Sequence, residues 1–324
     1  MIISASRRTD IPAFYADWFF NRLKEGFVVT QNPFNANQLS KVSLDSSVVD
    51  AIVFWTKDPR PMISRLDELD ASGIAYYFQY TITPYGKDLE PHLPANKTPL
   101  IEAFHALSKK LGADRVIWRY DPILFSEKYT MDFHERAFRR CASLLSGSTK
   151  KCIISFLDMD YNNTKAIDKL GIRDGSTEEK NETASLFSRI AAEYDISVET
   201  CAEEIDLDKC GVKHGHCIDG DLIEQITGKR LMPKGKQKDK NQRLLCGCIA
   251  STDIGSYNTC LHGCTYCYAN YSQGAIKGNR EKHDPLSPLM VGTCNAKQLD
   301  FRKGQKSLFA LDSLAFQESM VFPE

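Results

Sequence analysis

The segment Ala51-Ile-Val-Phe-Trp-Thr-Lys57 is a short, nearly continuous apolar run that ends on a charged residue. Strands of a parallel sheet have this composition when helices cover both faces of the sheet. Similar runs, rich in β-branched and aromatic residues, lie at residues 2–6, 75–82, 115–120, 152–157 and 196–200. Amphipathic helical patterns occur between them, at residues 98–111 and 132–145. This alternation predicts a parallel α/β fold, either a barrel or a doubly wound sheet.

Polar residues lie at or just after the carboxyl end of each predicted strand. They are Arg7, Arg8, Asp10, Lys57, Gln79, Thr81, Arg119, Asp121, Asp158, Glu199 and Cys201. Barrel enzymes assemble their active sites at this end of the strands. We therefore predict a TIM-barrel-like (βα) barrel with at least six parallel strands. The alternative for each residue taken singly is a loop charge or a helix cap.

Six of these residues are candidate catalytic residues that would hold a substrate and a cofactor: Arg8, Asp10, Lys57, Arg119, Asp121 and Glu199. Lys57 and Asp121 are the candidates for moving a proton, since an amine or a carboxyl group can act as a general acid or base. Arginine side chains after the first strand could bind a carboxylate or a phosphate, or they could brace the barrel mouth through Asp10.

Eight of the eleven cysteines lie between Cys201 and Cys267. Cys260, Cys264 and Cys267 follow the spacing Cys-x3-Cys-x2-Cys, with Tyr266 before the last. Thiolates are soft ligands that suit zinc or iron–sulfur clusters. Three thiolates on one short loop would leave one iron of a [4Fe-4S] cluster without a cysteine ligand. Another iron–sulfur role is one alternative. Zinc is the other, although the Cys246-Gly-Cys248 pair is tighter than a common zinc knuckle.

The loop with Cys260, Cys264, Tyr266 and Cys267 resembles the cluster loop of the radical S-adenosylmethionine enzymes. A larger set of motifs resembles the family called domain of unknown function 1848 over roughly residues 1–310. These motifs are Ser4-Ala-Ser-Arg-Arg-Thr-Asp10, Phe54-Trp-Thr-Lys57, Trp118-Arg-Tyr-Asp-Pro122 and the loop with Cys260, Cys264 and Cys267. The first resemblance implies a [4Fe-4S] cluster, S-adenosylmethionine on the open iron and an electron donor. In the radical S-adenosylmethionine enzymes the cluster loop follows the first strand, whereas in this sequence it follows all six predicted strands. A segment after the last strand of a barrel can return across the carboxyl-end mouth, so the cluster could occupy the same place.

Four further cysteines have several open interpretations. Cys246 and Cys248, with Cys201 and Cys217, could ligate a second cluster. Alternatively, one of them completes the first cluster, or they are buried thiols. Because the cysteine-rich part follows the strands, we expect residues 1–218 to form the barrel core. Residues 219–324 would then cap the barrel mouth within the same structural unit, beginning with a helix at residues 219–228.

The overall charge gives no long-range field for nucleic acid or anionic membranes, since 41 basic residues face 42 acidic ones. A local basic loop, Lys234, Lys236, Lys238, Lys240 and Arg243, leaves a nucleic-acid-binding protein with a structural iron–sulfur or zinc site as the second hypothesis. The chain has no apolar run of the roughly 20 residues that cross a bilayer and no signal-peptide pattern. We therefore expect a cytoplasmic protein that acts on a small molecule or a nucleic acid.

Overall fold

The computed structural model describes residues 1–159 and 164–310. Its strands are β1 (Ile2–Ala5), β2 (Phe27–Asn32), β3 (Asn35–Ser43), β4 (Ala51–Thr56), β5 (Ala75–Thr81), β6 (Val116–Ile123), β7 (Lys151–Phe156), β8 (Ser197–Thr200), β9 (Lys213–His214) and β10 (Thr252–Asp253). Its helices are α1 (Ile11–Phe14), α2 (Ala16–Glu25), α3 (Arg60–Ile63), α4 (Leu66–Asp70), α5 (Thr98–Leu111), α6 (Met131–Leu145), α7 (Thr164–Lys169), α8 (Thr177–Ala192), α9 (Gly220–Thr227) and α10 (Gln273–Glu281).

Eight strands form one parallel sheet in the order β10-β1-β4-β5-β6-β7-β8-β9. The six predicted strands are all present and adjacent in chain order, from β1 through β8, so the parallel α/β class is confirmed. The two outer strands, β9 and β10, have two residues each. A separate antiparallel hairpin, β2–β3, was not predicted.

One face of the sheet packs against the connecting helices. Alternate strand residues such as Ile52, Phe54 and Trp118 lie in this core with apolar residues of α2, α5, α6 and α8. The predicted helix at residues 98–111 is confirmed as α5, and it ends where Gly112 adopts a φ of +91°. Because a positive φ costs glycine little, the chain can leave the helix here and enter β6.

The other face of the sheet is covered by the chain that follows β9. Ile2, Val53, Tyr77 and Ile153 pack with α9 and with neighbouring residues between 217 and 249. The helix predicted at residues 219–228 is confirmed as α9, whose N-cap is Asp219. The predicted boundary between barrel core and capping region is at position 218, and residues on both sides of it share one apolar cluster. Residues 311–324 of the predicted capping region lie outside the described residues.

No helix within residues 1–159 and 164–310 combines the length and the apolar composition needed to span a bilayer.

His134 of α6 gives the fold a pH dependence that can be measured. The imidazole is buried; Tyr120 Oη lies 2.8 Å from its Nδ1, and its Nε2 lies 2.8 Å from the Leu124 carbonyl oxygen. Burial lowers the pKa of His134 to about 4, only partly offset by the bond to Leu124. The unfolded chain, with an ordinary histidine pKa of about 6.5, binds this proton more readily, so stability falls as pH drops from 6.5 towards 4.

We expect this histidine to remove about 2 kcal/mol from the free energy of unfolding between pH 8 and pH 5. Urea unfolding of the wild type and of His134→Gln over this range measures the effect. The variant should be less stable at pH 8 because it loses hydrogen bonds, but its stability should depend less on pH. Equal pH slopes for the two proteins would contradict the prediction.

Candidate functional site

Asp10 joins three segments at the carboxyl edge of the sheet. Its Oδ1 accepts from the Ala13 N–H at 3.0 Å, which caps α1. Its Oδ2 lies 2.7 Å from both the Lys57 backbone nitrogen and His262 Nε2. The loop after β1, the loop after β4 and the cysteine-bearing segment are therefore held by one buried carboxylate.

Lys57 forms a buried ion pair beside Asp10's segment. Its ammonium donates to Glu90 Oε1 at 2.8 Å, and Lys97 donates to Glu90 Oε2 at 2.6 Å. Burial opposes ionisation of Glu90, but the two ammonium groups outweigh it and lower the pKa of Glu90 to about 2. Burial alone would lower the pKa of Lys57. The charges of Glu90 and Cys264 outweigh burial, so the pKa of Lys57 is raised. Both groups are therefore charged at neutral pH.

Residues 258–270 form a closed turn of chain, here called the cysteine loop. Asn258 begins it with a φ of 54°, and its N–H donates to the Ala269 carbonyl at 2.9 Å. The Asn258 side chain then accepts from the Tyr271 and Ser272 N–H groups at 2.9 and 3.1 Å. An asparagine tolerates this left-handed conformation better than most residues, and its amide closes the neck of the loop.

The cysteine loop is fastened to the sheet at two points. His262 reaches Asp10, as described above. At the other end, Tyr266 Oη donates to Glu90 Oε1 at 2.5 Å. The loop therefore lies over the edge that carries Lys57.

The thiols of Cys260, Cys264 and Cys267 interact electrostatically with one another within this loop. Burial raises the pKa of all three, that of Cys264 to about 12 even though Lys57 lowers it. They are therefore neutral thiols unless a positive centre binds them. Metal binding is the usual way in which proteins ionise such thiols.

A second group of thiols, here called the four-thiol cluster, consists of Cys201, Cys217, Cys246 and Cys248. The Sγ atoms of Cys217 and Cys201 are 3.2 Å apart. Cys248 interacts in turn with Cys217 and Cys246. In the described part of the chain, no three histidine, cysteine, aspartate or glutamate side chains already surround one point closely enough to hold a metal ion.

Arg119 connects the four-thiol cluster to the polar edge. Its Nη1 atom donates to Cys217 Sγ at 2.9 Å, and its guanidinium forms an ion pair with Asp121. The Ser155 hydroxyl also donates to Asp121. Arg7 and Arg119 lie on the Trp55 ring, at 5.0 and 5.1 Å from its centroid.

Arg8 helps to hold the loop that follows β1. Its Nε is 4.0 Å from Asp253 Oδ1, and its guanidinium lies over the Tyr257 ring. Asp253, in β10, also accepts from Ser4 and Ser6 at 2.9 and 2.6 Å. Arg8 is therefore held by Asp253 and Tyr257, and not by Asp10, through which the sequence analysis expected a brace.

Glu199 is the one predicted catalytic residue that lies apart from the others. It forms an ion pair with Lys151 at 2.9 Å. Both residues line a cavity of about 390 Å³ together with Asp114, Ile117 and Ser197, which lie at the amino ends of the strands. Glu199 therefore faces the end of the sheet opposite to the cysteine loop.

Three polar residues of the site were not singled out from the sequence. Glu90 lies in the long connection after β5, Asp253 in a two-residue strand, and His262 between two of the loop cysteines. His262 could have been found, because a histidine inside a cysteine motif is a conspicuous polar residue. Glu90 and Asp253 had no signal in any periodic pattern.

The basic loop is largely engaged with its own surroundings. Lys236 pairs with Asp221 and Glu224, Arg243 pairs with Asp158, and Lys238 donates to backbone carbonyls. These partners reduce the local positive field that the nucleic-acid hypothesis depends on.

Gly255 provides a test of how tightly the first loop is held. A Cβ at this position would lie 2.2 Å from Ser6 Oγ and 2.5 Å from Ser6 Cβ, and Ser6 is buried against Asp253. Gly255→Ala should destabilise the protein by about 1–3 kcal/mol, as overpacking does. The control is Gly278→Ala in α10, where the added methyl group meets nothing within 4 Å. The control should be neutral or stabilising by up to about 1 kcal/mol in urea unfolding, and equal losses would contradict the prediction.

One family model matches this chain: the family described as "Domain of unknown function (DUF1848)" matches residues 2–269. The match includes every strand of the sheet, the four-thiol cluster and the three cysteines of the cysteine loop. None of the curated proteins matches the chain.

Proposed function

Because this chain belongs to the family described as a domain of unknown function, DUF1848, and that description names no reaction, we propose its function from the site. We propose an iron–sulfur enzyme of the radical S-adenosylmethionine type, with a [4Fe-4S] cluster bound by Cys260, Cys264 and Cys267. The observation that carries the proposal is the position of the cysteine loop, which His262 and Tyr266 fasten to Asp10 and Glu90 beside the buried Lys57–Glu90 pair.

The residues of the cysteine loop fit such a cluster chemically. They supply three soft ligands, and the loop has its own fixed neck at Asn258. Lys57 places a positive charge near Cys264, which would offset the negative charge of bound thiolates. Asn270 donates to the Cys260 carbonyl at 2.6 Å, while its Oδ1 is buried and has no hydrogen-bond partner among the described residues. That free acceptor would suit a polar group of a bound molecule.

When bound, a reduced cluster of this type supplies one electron for the cleavage of S-adenosylmethionine, so an external electron donor belongs to the proposal. The chain's own residues position and shield the reacting groups. Asp10 and Glu90 fix the two ends of the cysteine loop through His262 and Tyr266. Trp55 Nε1 and Arg7 Nη2 are buried donors without hydrogen-bond partners in the described part of the chain, and they would bind acceptor oxygens of a substrate.

Of the two residues predicted to move a proton, Asp121 is the better candidate. Lys57 is held by Glu90 and Thr83, at 2.8 and 3.3 Å. The Asp121 side chain is 22% exposed against 14% for Lys57, although Arg119 and Ser155 both contact it. We therefore assign proton transfer to Asp121 and charge compensation to Lys57.

We propose further that the sheet curves into a TIM-barrel-like barrel. One face of the sheet, from β1 to β7, packs in a single apolar cluster with α9 and its flanking residues. The interior of a barrel would be filled by one segment in this way. Residues 215–251 would then fill the interior and the gap between β9 and β10. An experimental structure with a flat sheet would contradict this shape.

A reducing compartment is the third part of the proposal. All eleven cysteines are free thiols, as is usual in the cytoplasm. We therefore propose a cytoplasmic enzyme.

The proposal is tested by reductive cleavage of S-adenosylmethionine. Anaerobically reconstituted protein is incubated with dithionite and S-adenosylmethionine, and 5'-deoxyadenosine is measured by chromatography. The wild type and Cys294→Ala should release it, because Cys294 lies outside both thiol groups. Cys264→Ala should give only the background level. Wild-type protein with an intact cluster but no 5'-deoxyadenosine above background would contradict the proposal.

A further inference from the structure

The four-thiol cluster is separate from the proposed radical site and is drawn from three parts of the chain. Cys201 follows β8, Cys217 precedes α9, and Cys246 and Cys248 lie before β10. Cys217, Cys246 and Cys248 are buried, with 1%, 6% and 2% of their surface exposed. The four thiols do not yet surround one point, but Cys201 lies against Cys217, and Cys248 interacts with Cys217 and Cys246. Since these segments have no regular structure where the cysteines lie, this chain of neighbouring thiols calls for a physical reason.

The groups around the thiols are donors. Arg119 Nη1 donates to Cys217 Sγ at 2.9 Å, and the Arg7 guanidinium interacts electrostatically with Cys248 and Cys217. The Ile218 N–H also donates to Cys248 Sγ, at 3.3 Å. A neutral thiol is only a weak acceptor, and a guanidinium keeps its charge in any protein environment. Two guanidinium groups directed at neutral thiols would be poorly compensated, whereas thiolates would be strong partners for them.

A divalent ion would bring the charge of the thiolates down to one that the neighbouring arginines can offset. Four thiolates and one divalent cation carry a net charge of −2, which faces the two positive charges of Arg7 and Arg119, and Arg119 is shared with Asp121. We propose that Cys201, Cys217, Cys246 and Cys248 form a second metal centre, which holds one zinc ion in tetrahedral thiolate coordination. This centre would tie β8, the segment before α9 and the segment before β10 together beneath the polar edge of the sheet.

The separation of the sulfurs favours a single ion over a second iron–sulfur cluster. Tetrahedral zinc with bonds of about 2.3 Å places its sulfur ligands about 3.7 Å apart. Cys201 and Cys217 Sγ are 3.2 Å apart, so they would separate by only about half an ångström to bind zinc. The thiolates of an iron–sulfur cube lie farther apart, because iron and sulfide ions stand between them. Four sulfur ligands in tetrahedral geometry are typical of zinc.

Metal analysis of the full chain tests this centre independently of the cysteine loop. Protein purified anaerobically is analysed for zinc, iron and sulfide. The wild type should contain about one zinc per chain. The variant with Cys260, Cys264 and Cys267 all changed to alanine should lose iron but keep zinc. Cys217→Ser and Cys248→Ser should lose zinc, while Cys152→Ser, a buried thiol on the other face of the sheet, should keep it.

A second measurement needs no variant and so does not depend on how well a variant folds. Native wild-type protein is alkylated with a maleimide before and after treatment with a zinc chelator, and the labelled cysteines are located by mass spectrometry. The four cysteines should become reactive only after chelation. Cobalt(II) added to the chelated protein should produce the visible absorption of tetrahedral cobalt thiolate.

Several results would overturn the zinc centre. They are wild-type protein without zinc, zinc retained in both serine variants, iron and sulfide lost from those variants instead of zinc, or a Cys201–Cys217 disulfide in the anaerobic protein. None of these results would affect the radical-enzyme proposal, which depends on 5'-deoxyadenosine and on Cys264. Conversely, absence of 5'-deoxyadenosine would leave the zinc result unchanged.

Discussion

Glu90→Gln is expected to lower the free energy of unfolding by about 3–5 kcal/mol, because it leaves buried charges without their partner. The Glu90 side chain is fully buried and accepts from Lys57, Lys97, Thr83 and Tyr266. Glutamine preserves the shape but removes the negative charge that the two ammonium groups require. The cysteine loop also loses a strong acceptor for Tyr266, so iron binding should weaken in the same variant.

The pH dependence of this effect has a definite sign. The pKa of Glu90 is lowered to about 2, so its stabilisation is present above the ordinary value of about 4.5 and is lost as pH falls towards 2. The difference between wild type and Glu90→Gln in urea unfolding should therefore be full at pH 7 and shrink below pH 4.5.

Glu68→Gln is the matched control. Its pKa is also lowered to about 2, by hydrogen bonding to Arg65. However, Glu68 lies at the surface with 36% of its side chain exposed. Solvent screening limits such a pair to about 1 kcal/mol or less. Equal losses in the two variants would contradict the account of a buried network.

Asp10→Ala is expected to have the second largest effect on stability, about 3 kcal/mol. The substitution removes the N-cap of α1, which is worth about 1 kcal/mol. It also leaves the Lys57 N–H and the His262 ring without their acceptor, at about 1 kcal/mol each, the lower end of the cost of an unpaired buried polar group. Because His262 belongs to the cysteine loop, the variant should also retain less iron than the wild type.

Urea unfolding and iron analysis of Asp10→Ala measure both effects. Asp132→Ala, which removes an exposed carboxylate in the first turn of α6, is the control. It should change stability by no more than about 0.5 kcal/mol and leave iron binding intact. An Asp10→Ala protein with wild-type stability and iron content would show that the carboxylate does not hold the loop.

The central strands could be predicted because burial on both faces makes a strand apolar throughout. Ala51–Thr56 is the example, and it lies in the interior of the sheet. The hairpin β2–β3 gave no such signal, since the first residues of β3 are exposed and polar. β9 and β10 are too short for any periodicity to be seen in two residues each.

The polar site was only partly predictable, because its parts are distant in the sequence. Asp10 and Lys57 were found because they follow strongly apolar strands. Their partner Glu90 lies in the irregular connection between β5 and α5, where no repeat marks it. Glu199 is the third of the four residues of β8 and is in register with Arg119 through Ile153. Its ion pair with Lys151, the first residue of β7, nevertheless directs its side chain to the opposite end of the sheet. Position along a short strand depends on register, which the sequence alone does not provide.

The central claim is that Cys260, Cys264 and Cys267 bind a [4Fe-4S] cluster. The most direct measurement is the iron and acid-labile sulfide content of anaerobically purified protein, compared with the variant in which all three cysteines are alanine. The account predicts a brown wild-type protein with about four iron and four sulfide ions per chain, and a variant that has neither. A colourless wild-type protein that carries only zinc, or a variant that keeps its iron, would contradict it.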